Sequence, residues 1–376
     1  KSYTPGLKIL ENTKTTKERI LPLKGEVHVT ENEIVNSSKI VASTNIPGNV
    51  HMVNIANELN VDAKDVSTFM LLNENDTVSK NQIIAKNKGF FGFFKTEVRS
   101  PVDGSIINIS DVTGQVVISE KPLSIDVDAY IPGLVSSVID KEGVIIKSNG
   151  TFIQGIIGIG GEKQGILKVL IDSHNKRITK KELIENHNNN NLKDKIIVCG
   201  DFIDYEIYKI ALDLGIKGIV CGGFDYDDVS KILGKSLGVA ITGTENTMNL
   251  ILTEGFGEIE MAERTFNILK KNDGKMVSIN GATQIRAGVL RPEIFIKSDK
   301  EEMSKEFNED NLIISEGSIV RIIREPYFGE IGEVVSLPPK LVEMKSETKV
   351  RVAKIKLSNK NEEIIPRANL EVILSE

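Results

Sequence analysis

The hydrophobic pattern changes its period at Lys195, and this change limits the folds that the chain can adopt. Before Lys195, short alternating stretches are separated by glycine turns, as at residues 47–50, 103–106 and 132–135. We expect glycine to supply a positive φ in each turn and a β-branched residue to start the following strand, which is typical of a small barrel or sandwich. After Lys195, continuous apolar runs alternate with helical spacing, which predicts a parallel, doubly wound sheet.

A chain of 376 residues is too long for one ordinary core, so we expect two to four domains. The patterns predict a multidomain α/β and all-β protein: a small barrel or sandwich over 1–128, an extended β region and linker over 129–194, a small α/β domain over 195–297, and a tail of short strands over 298–376. Residues 1–22 are polar and are predicted to be a turn-rich lead into the first barrel.

Composition narrows the class of partner and the compartment. A net charge of -6 and a pI near 5.6 argue against bulk electrostatic attraction to nucleic acid or anionic lipid. Two cysteines do not make a disulfide framework, which favours a reducing cytoplasm. No apolar run of about 18 residues predicts a transmembrane helix, and no signal peptide is visible.

Two segments in the first domain resemble the two halves of a biotinyl or lipoyl domain. Residues 75–84 resemble the first half, and residues 96–106 resemble the second half. The resemblance implies a barrel-sandwich hybrid, whose carrier lysine would lie on the hairpin between them. Counting from each side places that lysine at Phe91 or Phe93, so the hairpin is about two residues longer than a carrier's. We therefore expect no biotin and no lipoate, and no other cofactor.

The hairpin instead carries four aromatic side chains. They are predicted to bind a partner subunit or a second copy of the chain, because four phenylalanines in water are costly. Packing on the neighbouring barrel and insertion into a membrane surface are the alternatives. The predicted partner-binding residues are Phe90, Phe91, Phe93 and Phe94.

The first domain also resembles the barrel-sandwich part of RnfC-type electron-transport subunits. Residues 20–23 and the turn at 100–104 carry this similarity. The redox function of that family depends on cysteine-ligated iron-sulfur clusters, and two cysteines cannot hold a Cys₄ cluster. The resemblance therefore implies the fold and not the redox activity.

The glycine-spaced run at residues 155–161 is followed by no helix, so it is not a dinucleotide-binding fingerprint. We predict bulges and close backbone approach there. A phosphate-binding loop is the alternative.

In the α/β domain, two similar units place a cysteine near the carboxyl end of a strand. Ligands bind beyond those ends in open parallel sheets. Acidic side chains and two arginines of neighbouring loops could face the same crevice, for a metal or a nucleotide. The structural alternative is that the cysteines are core, the glycines make turns and the acids cap helices. The predicted crevice residues are Cys199, Asp201, Cys221, Asp225, Glu254, Glu258, Arg286 and Arg291. The four histidines show no ligand spacing, and no metal set is predicted.

The tail resembles the KOW motif of SH3-like barrels in transcription elongation factors and ribosomal proteins. Residues 317–335 carry the motif, and residues 364–371 resemble the strand that closes such a barrel. The resemblance implies binding of RNA or of protein. The tail has no basic excess, so the two kinds of partner stay open. The predicted contact residues are Arg321, Arg324, Tyr327, Phe328, Arg351, Lys354 and Arg367.

These observations favour a non-catalytic adaptor or scaffold subunit that binds partners through the hairpin and the tail. The first alternative is a ribosome- or transcription-associated factor that binds RNA through the tail. The second is a ligand- or metal-binding enzyme that uses the α/β crevice.

Overall fold

The computed structural model describes residues 6–87, 96–233, 240–241, 247–284, 290–299, 314–324, 326–327, 330–343, 349–357 and 361–374. Within these ranges the protein is a mixed α/β fold in which strands predominate. Four hydrophobic clusters form its cores.

The first third consists of short strands with two short helices. The strands are β1 (Gly6–Ile20), β2 (Glu26–Val27), β3 (Ile34–Val35), β4 (Ile40–Ile46), β5 (Val50–Asn54), β6 (Thr77–Val78), β7 (Ile83–Lys86), β8 (Glu97–Arg99), β9 (Gly104–Ile109), β10 (Gln115–Ser119) and β11 (Leu123–Asp128). The helices are α1 (Ile55–Leu59) and α2 (Val66–Phe69). Three small sheets have the orders β5-β10-β9-β6, β11-β4-β2 and β7-β8. Ile55, Ile84, Ile106 and Ile118 form part of a core shared by α1, α2 and the sheets β5-β10-β9-β6 and β7-β8.

The middle of the chain contains the remaining helices. Its strands are β12 (Gly133–Ile139), β13 (Gly143–Gln154), β14 (Ile157–Ile159), β15 (Glu162–Val169), β16 (Ile196–Phe202), β17 (Gly218–Phe224), β18 (Ala240–Ile241), β19 (Asn249–Phe256), β20 (Met276–Asn280), β21 (Thr283–Gln284) and β22 (Glu293–Lys297). Its helices are α3 (Lys180–Asn190), α4 (Tyr205–Asp213), α5 (Tyr226–Leu233) and α6 (Glu263–Lys271).

Strands β15, β16, β17 and β19 pair in parallel, in the order β19-β17-β16-β15. The apolar runs of β16, β17 and β19 are buried almost throughout, which explains the continuous hydrophobicity of the sequence there. The Asp204 side chain accepts the Ile207 N–H at 2.9 Å and caps the start of α4. Gly215, with φ of 72°, follows the end of α4, as the sequence predicts.

The last part is again formed by strands. They are β23 (Ile319–Ile322), β24 (Ile331–Ser336), β25 (Val342–Glu343), β26 (Lys349–Val350), β27 (Val352–Leu357), β28 (Glu362–Pro366) and β29 (Leu370–Leu374). We call residues 314–374 the C-terminal module. Its core includes Val320, Ile322, Ile355 and Leu370.

One long sheet passes through most of the protein. Its described strands follow the order β14-β19-β17-β16-β15-β20-β22-β13-β1-β29-β23-β24-β27-β28, and β12 and β3 attach beside β13. Strand β1 pairs antiparallel with β13 from Ile9 to Ile20 and parallel with β29 from Gly6 to Lys8. The pairing therefore crosses the boundaries predicted at 128, 194 and 297.

The prediction of a turn-rich lead over residues 1–22 is wrong for residues 6–20, which form the long strand β1. Its inward positions include Thr13, Thr15, Lys17 and Arg19, which are polar. Lys17 and Arg19 have carboxylate partners in the fold. Because polar side chains take these inward positions, the hydrophobic alternation that indicates a strand is missing from the sequence.

Gly155 and Gly158 lie close to other backbone, which confirms the predicted close approach in this run. A Cβ on Gly158 would lie 2.6 Å from the carbonyl oxygen of Gly281. Gly160 has φ of +88°, and a Cβ there would lie 2.3 Å from Asn249 Oδ1. Glycine suits these positions, because it has no Cβ and adopts a positive φ without strain.

Candidate functional site

The carboxyl ends of three parallel strands lie side by side, where a ligand crevice was predicted. Phe202 of β16 is level with Gly223 of β17, and Phe224 of β17 is level with Phe256 of β19. Asp201, Asp225, Glu254 and Glu258 therefore belong to one end of the sheet.

The two cysteines lie within the sheet and not in an open crevice. Both are fully buried and free. Burial raises the pKa of the Cys199 thiol to about 12. Burial, with smaller effects of Cys199 and Asp201, raises the pKa of Cys221 well above its ordinary value. Since the thiolate is the reactive and metal-binding form, these thiols are poor nucleophiles and poor ligands.

The carboxylates of this end have partners within the protein. Asp225 Oδ1 accepts the Asp227 N–H at 2.8 Å and so caps the first turn of α5. Asp201 and Glu258 both bind the guanidinium of Arg177, at 3.5 and 2.9 Å, and this group lies 4.8 Å from the Phe202 ring centroid. The sequence prediction missed Arg177, which lies in the segment taken as a linker.

The chain that leaves β19 covers the ends of the strands. A Cβ on Gly222 would lie 2.2 Å from the carbonyl oxygen of Ile259, and one on Gly223 would lie 1.9 Å from that of Gly257. The Gly257 N–H donates to the Phe224 carbonyl oxygen at 3.0 Å, and His174 Nδ1 lies 2.9 Å from the Met261 carbonyl oxygen. Residues 257–261 therefore occupy the place where a ligand would approach β17.

Two further predicted crevice residues belong to a buried group of four charges. Glu254 of β19 binds Arg321 of β23, with 3.1 Å between Oε2 and Nη2. Arg291, which precedes β22, forms an ion pair with Glu371 of β29. We call Glu254, Arg291, Arg321 and Glu371 the buried charge cluster.

Hydrogen bonding in the buried charge cluster is incomplete. The Arg321 Nη2 group also donates to the Glu254 backbone carbonyl oxygen, and Glu254 Oε1 accepts the Ala262 N–H at 2.9 Å. In contrast, Arg321 Nε and Nη1 and Glu371 Oε2 are buried with no hydrogen-bond partner among the described residues. Burial raises the pKa of Glu371, although Arg291 and Arg321 act in the opposite direction.

Arg321 was predicted to contact a partner from the surface of the tail, but it is only 2% exposed and points to β19. Its charge and the nearby Glu254 account for the inward position. Lys354 pairs with Glu362, and Arg367 Nε donates to the Val352 carbonyl oxygen at 3.0 Å.

The other predicted contact residues of the tail differ in accessibility. Arg324 and Arg351 are exposed. Tyr327 packs partly against the core of the C-terminal module, and its hydrogen bond to Glu363 raises the pKa of the phenol. Of the predicted basic residues of the tail, Arg321 is therefore buried, whereas Arg324 and Arg351 are exposed. Phe90, Phe91, Phe93, Phe94, Arg286 and Phe328 lie outside the described residues.

Sequence patterns missed a second polar group, which joins β1 to the middle of the long sheet. Arg19 donates to both Glu162 oxygens, at 2.7 and 2.6 Å, and to Asp128. Lys17 and the Tyr130 hydroxyl both bind Glu293 Oε1, at 2.5 and 3.1 Å. The members of this central polar cluster are Lys17, Arg19, Asp128, Tyr130, Glu162 and Glu293.

Tyr130 has an unusual backbone for a large side chain, with φ of 62°, although it is fully buried. Ser278 Oγ donates to its carbonyl oxygen at 2.5 Å. Burial raises the pKa of the phenol well above its ordinary value, and Glu293 adds to this shift. Tyr130 is therefore a fixed hydrogen-bond donor and not a base.

Neither the scan against protein-family models nor the search of curated proteins finds a match to the chain. In the ranges that the structure describes, no three His, Cys, Asp or Glu side chains are grouped so that they could hold a metal ion. Among the described helices, none is both long and apolar enough to cross a membrane.

Proposed function

We propose that the protein is a non-catalytic scaffold or adaptor subunit of a larger assembly. The observation that carries this proposal is the filled end of the parallel sheet. Backbone atoms of residues 257–261 lie against Gly222 and Gly223, where an α/β enzyme usually admits its ligand.

The side chains predicted for chemistry support the same proposal. Asp225 caps a helix, Glu254 is held by Arg321, and both thiols are buried. A catalytic or metal-binding group needs an accessible side chain with a suitable protonation state. Each of these groups is instead buried or bound to a partner within the protein.

We propose the following architecture for this scaffold: an unmodified barrel-sandwich hybrid, a doubly wound α/β domain and a SH3-like KOW barrel. The small sheets with their shared core support the first, the parallel strands with α3–α6 the second, and β23–β29 the third. The absence of lysine from both counted tip positions supports a barrel without biotin or lipoate. Two free cysteines support the cytoplasm as its compartment.

One surface of the first third suits a protein partner. Strand β5 lies at the edge of its four-stranded sheet as far as the structure describes it. It shows Val50, which is 55% exposed, and Met52, which is 71% exposed. An edge strand offers free backbone hydrogen-bonding groups, and apolar side chains beside them add contact area. We propose that the protein binds its partner through β5 and through the predicted hairpin that carries Phe90, Phe91, Phe93 and Phe94.

RNA binding through the tail is the less favoured alternative. Arg321 is buried, and Lys354 and Arg367 already have partners within the protein. Phosphate contacts need accessible cationic groups, so few of the predicted residues are free to make them. A salt-dependent RNA-binding assay at low ionic strength should give no saturable binding, and binding that weakens with salt would favour this alternative.

The main experiment is affinity purification of the full chain from its native cell, followed by mass spectrometry. The Val50→Ser/Met52→Ser and Phe91→Ser/Phe93→Ser variants should each recover the principal protein partner about tenfold less than wild type, because apolar anchors dominate interfaces. Val112→Ser is the matched control, since Val112 is 89% exposed and outside β5. Equal recovery by all variants would contradict the proposed region, and a copurified small molecule would contradict the scaffold.

Thiol labelling tests the closed end of the sheet separately. Cys199 and Cys221 should react with a thiol reagent at mildly alkaline pH only after unfolding, because burial raises both pKa values. Labelling of the native protein as fast as of the denatured protein would show that the sheet end opens.

A further inference from the structure

Two contacts between the C-terminal module and the rest of the described protein determine how the module is held. One is the parallel ladder that pairs Gly6, Leu7 and Lys8 of β1 with Val372, Ile373 and Leu374 of β29. Ile373 also packs on the core of the parallel sheet. The other is the buried charge cluster, whose members come from β19, the segment before β22, β23 and β29.

The buried charge cluster is costly in its present form. Glu254, Arg321 and Glu371 are 7%, 2% and 1% exposed, and the Arg291 side chain is 14% exposed, so two positive and two negative charges balance one another with little access to water. The geometry leaves Arg321 Nε and Nη1 and Glu371 Oε2 without partners. An ion pair that is buried and incompletely hydrogen-bonded contributes little net stability, whereas the loss of one member leaves an uncompensated charge.

Such an arrangement selects one position strongly without adding much stability. A shift of the C-terminal module would separate Arg321 from Glu254 while both were still shielded from water. A complete release would let all four groups regain water together. The cluster therefore disfavours intermediate positions of the module more than it stabilises the docked position.

We propose that the buried charge cluster is a docking latch, which fixes the C-terminal module on the end of β19 and permits its release as one unit. In the docked state Arg321 closes the part of the sheet end that lies beside residues 257–261. In the released state Glu254 and Arg321 become exposed together. This device goes beyond the proposed scaffold function and does not depend on it.

Hydrogen exchange followed by mass spectrometry of the full chain tests the latch. Arg321→Met should accelerate exchange in β23 and β29 by at least about tenfold and leave β16 and β17 unchanged, because sub-global opening is reported segment by segment. Arg351→Met is the matched control, since Arg351 is an exposed arginine of the same module, and its exchange pattern should equal that of wild type.

A double variant shows whether the charges act as a unit. Arg321→Met alone leaves Glu254, Glu371 and Arg291, with one negative charge in excess. Adding Glu254→Gln restores charge balance and keeps an oxygen for the Ala262 N–H. The Glu254→Gln/Arg321→Met variant should therefore regain at least half of the lost protection of β29.

Three outcomes would overturn the latch: equal acceleration in all strands, no acceleration in β29, or a double variant that is no better protected than Arg321→Met. If Arg321→Met alone does not fold, a folded double variant still supports the latch, and an unfolded one makes the cluster part of an ordinary core.

Discussion

Arg19 and Arg321 both connect distant parts of the chain from largely buried positions, yet they are bound in opposite ways. Arg19 uses all three guanidinium nitrogens, which donate to Asp128 and Glu162. Arg321 uses only Nη2, and its other two nitrogens lack partners among the described residues. The carboxylates around Arg19 are about one third exposed, whereas those around Arg321 are nearly enclosed.

The difference separates two uses of buried charge. A satisfied cluster at the rim of a core contributes stability, because hydrogen bonds to charged groups are strong and desolvation is incomplete. An enclosed cluster with unpaired atoms fixes the relative position of the elements that it joins more than it stabilises the fold. The central polar cluster should therefore behave as a permanent joint, and the buried charge cluster as a joint that opens.

Among the variants that test this comparison by the free energy of unfolding, Arg19→Met should have the largest effect. The substitution removes four hydrogen bonds and leaves Asp128 and Glu162 close together without a cation. We expect the free energy of unfolding to fall by about 2–3 kcal/mol, measured by urea denaturation.

Arg99→Met is the control for this change, because Arg99 pairs with Glu97 at an exposed site and should cost less than about 0.5 kcal/mol. Equal losses for both variants would mean that the central polar cluster contributes no more than a surface ion pair.

A smaller effect is expected from Tyr130→Phe. It removes the hydroxyl that binds Glu293 and keeps the ring in the core. Lys17 still binds Glu293, so we expect a loss of about 1–1.5 kcal/mol. Tyr226→Phe, at a half-exposed tyrosine, should change the free energy of unfolding by less than about 0.5 kcal/mol. If Tyr130→Phe leaves the free energy of unfolding unchanged, Lys17 alone provides the hydrogen bonding that Glu293 needs.

The contributions of Glu371 and Asp128 to stability should change with pH in the same direction but by different amounts. Burial raises the pKa of both Glu371 and Asp128. A carboxyl group with a raised folded pKa stabilises the fold fully below its unfolded pKa, and this contribution is lost as pH rises through the folded pKa. Stability of Glu371→Gln relative to wild type should thus increase from about pH 4 to about pH 7.

Asp128→Asn should show the same trend more weakly, because Asp128 is less buried than Glu371. Chemical denaturation at a series of pH values measures both. A trend of opposite sign for Glu371→Gln would mean that Arg291 and Arg321 outweigh burial.

The smallest effect is expected for Glu182, an exposed carboxyl group whose pKa is lowered and not raised. Lys176 and the backbone and side chain of Thr179 lower the pKa of Glu182 to about 2. Glu182 completes a capping box at the start of α3. Its contribution is present above its ordinary pKa of 4.5 and is lost as pH falls through about 2.

Amide exchange of α3 measures this contribution. Glu182→Gln should show less change in the protection of α3 over that acid range than wild type. Identical acid sensitivity in both proteins would exclude Glu182 as the responsible group.

Local pattern predicted the elements of the parallel sheet well. The apolar runs at 196–200 and 218–223 became β16 and β17, and the spacing from Tyr205 became α4. Their signals are local, because a buried strand needs apolar residues on both faces and a helix needs a capped, periodic segment. The mixed α/β class followed from the same signals.

Long-range partners could not be predicted in this way. The role of Arg321 depends on Glu254, which precedes it by 67 residues, and that of Arg19 on Asp128 and Glu162. A charged residue in a strand is normally assigned to the solvent face, since one sequence does not show which charges will meet. The closure of the crevice similarly depends on Gly222 and Gly223 being next to residues 257–261.

The pairing of β1 with β29 has a consequence for synthesis and folding. Gly6, Leu7 and Lys8 leave the ribosome long before Val372, Ile373 and Leu374 exist. That edge of β1 must therefore stay unpaired during most of translation, or find a temporary partner. Gly6 pairs with Val372, which follows it by 366 positions (372 - 6), so this ladder closes only after a long segment of chain has been made.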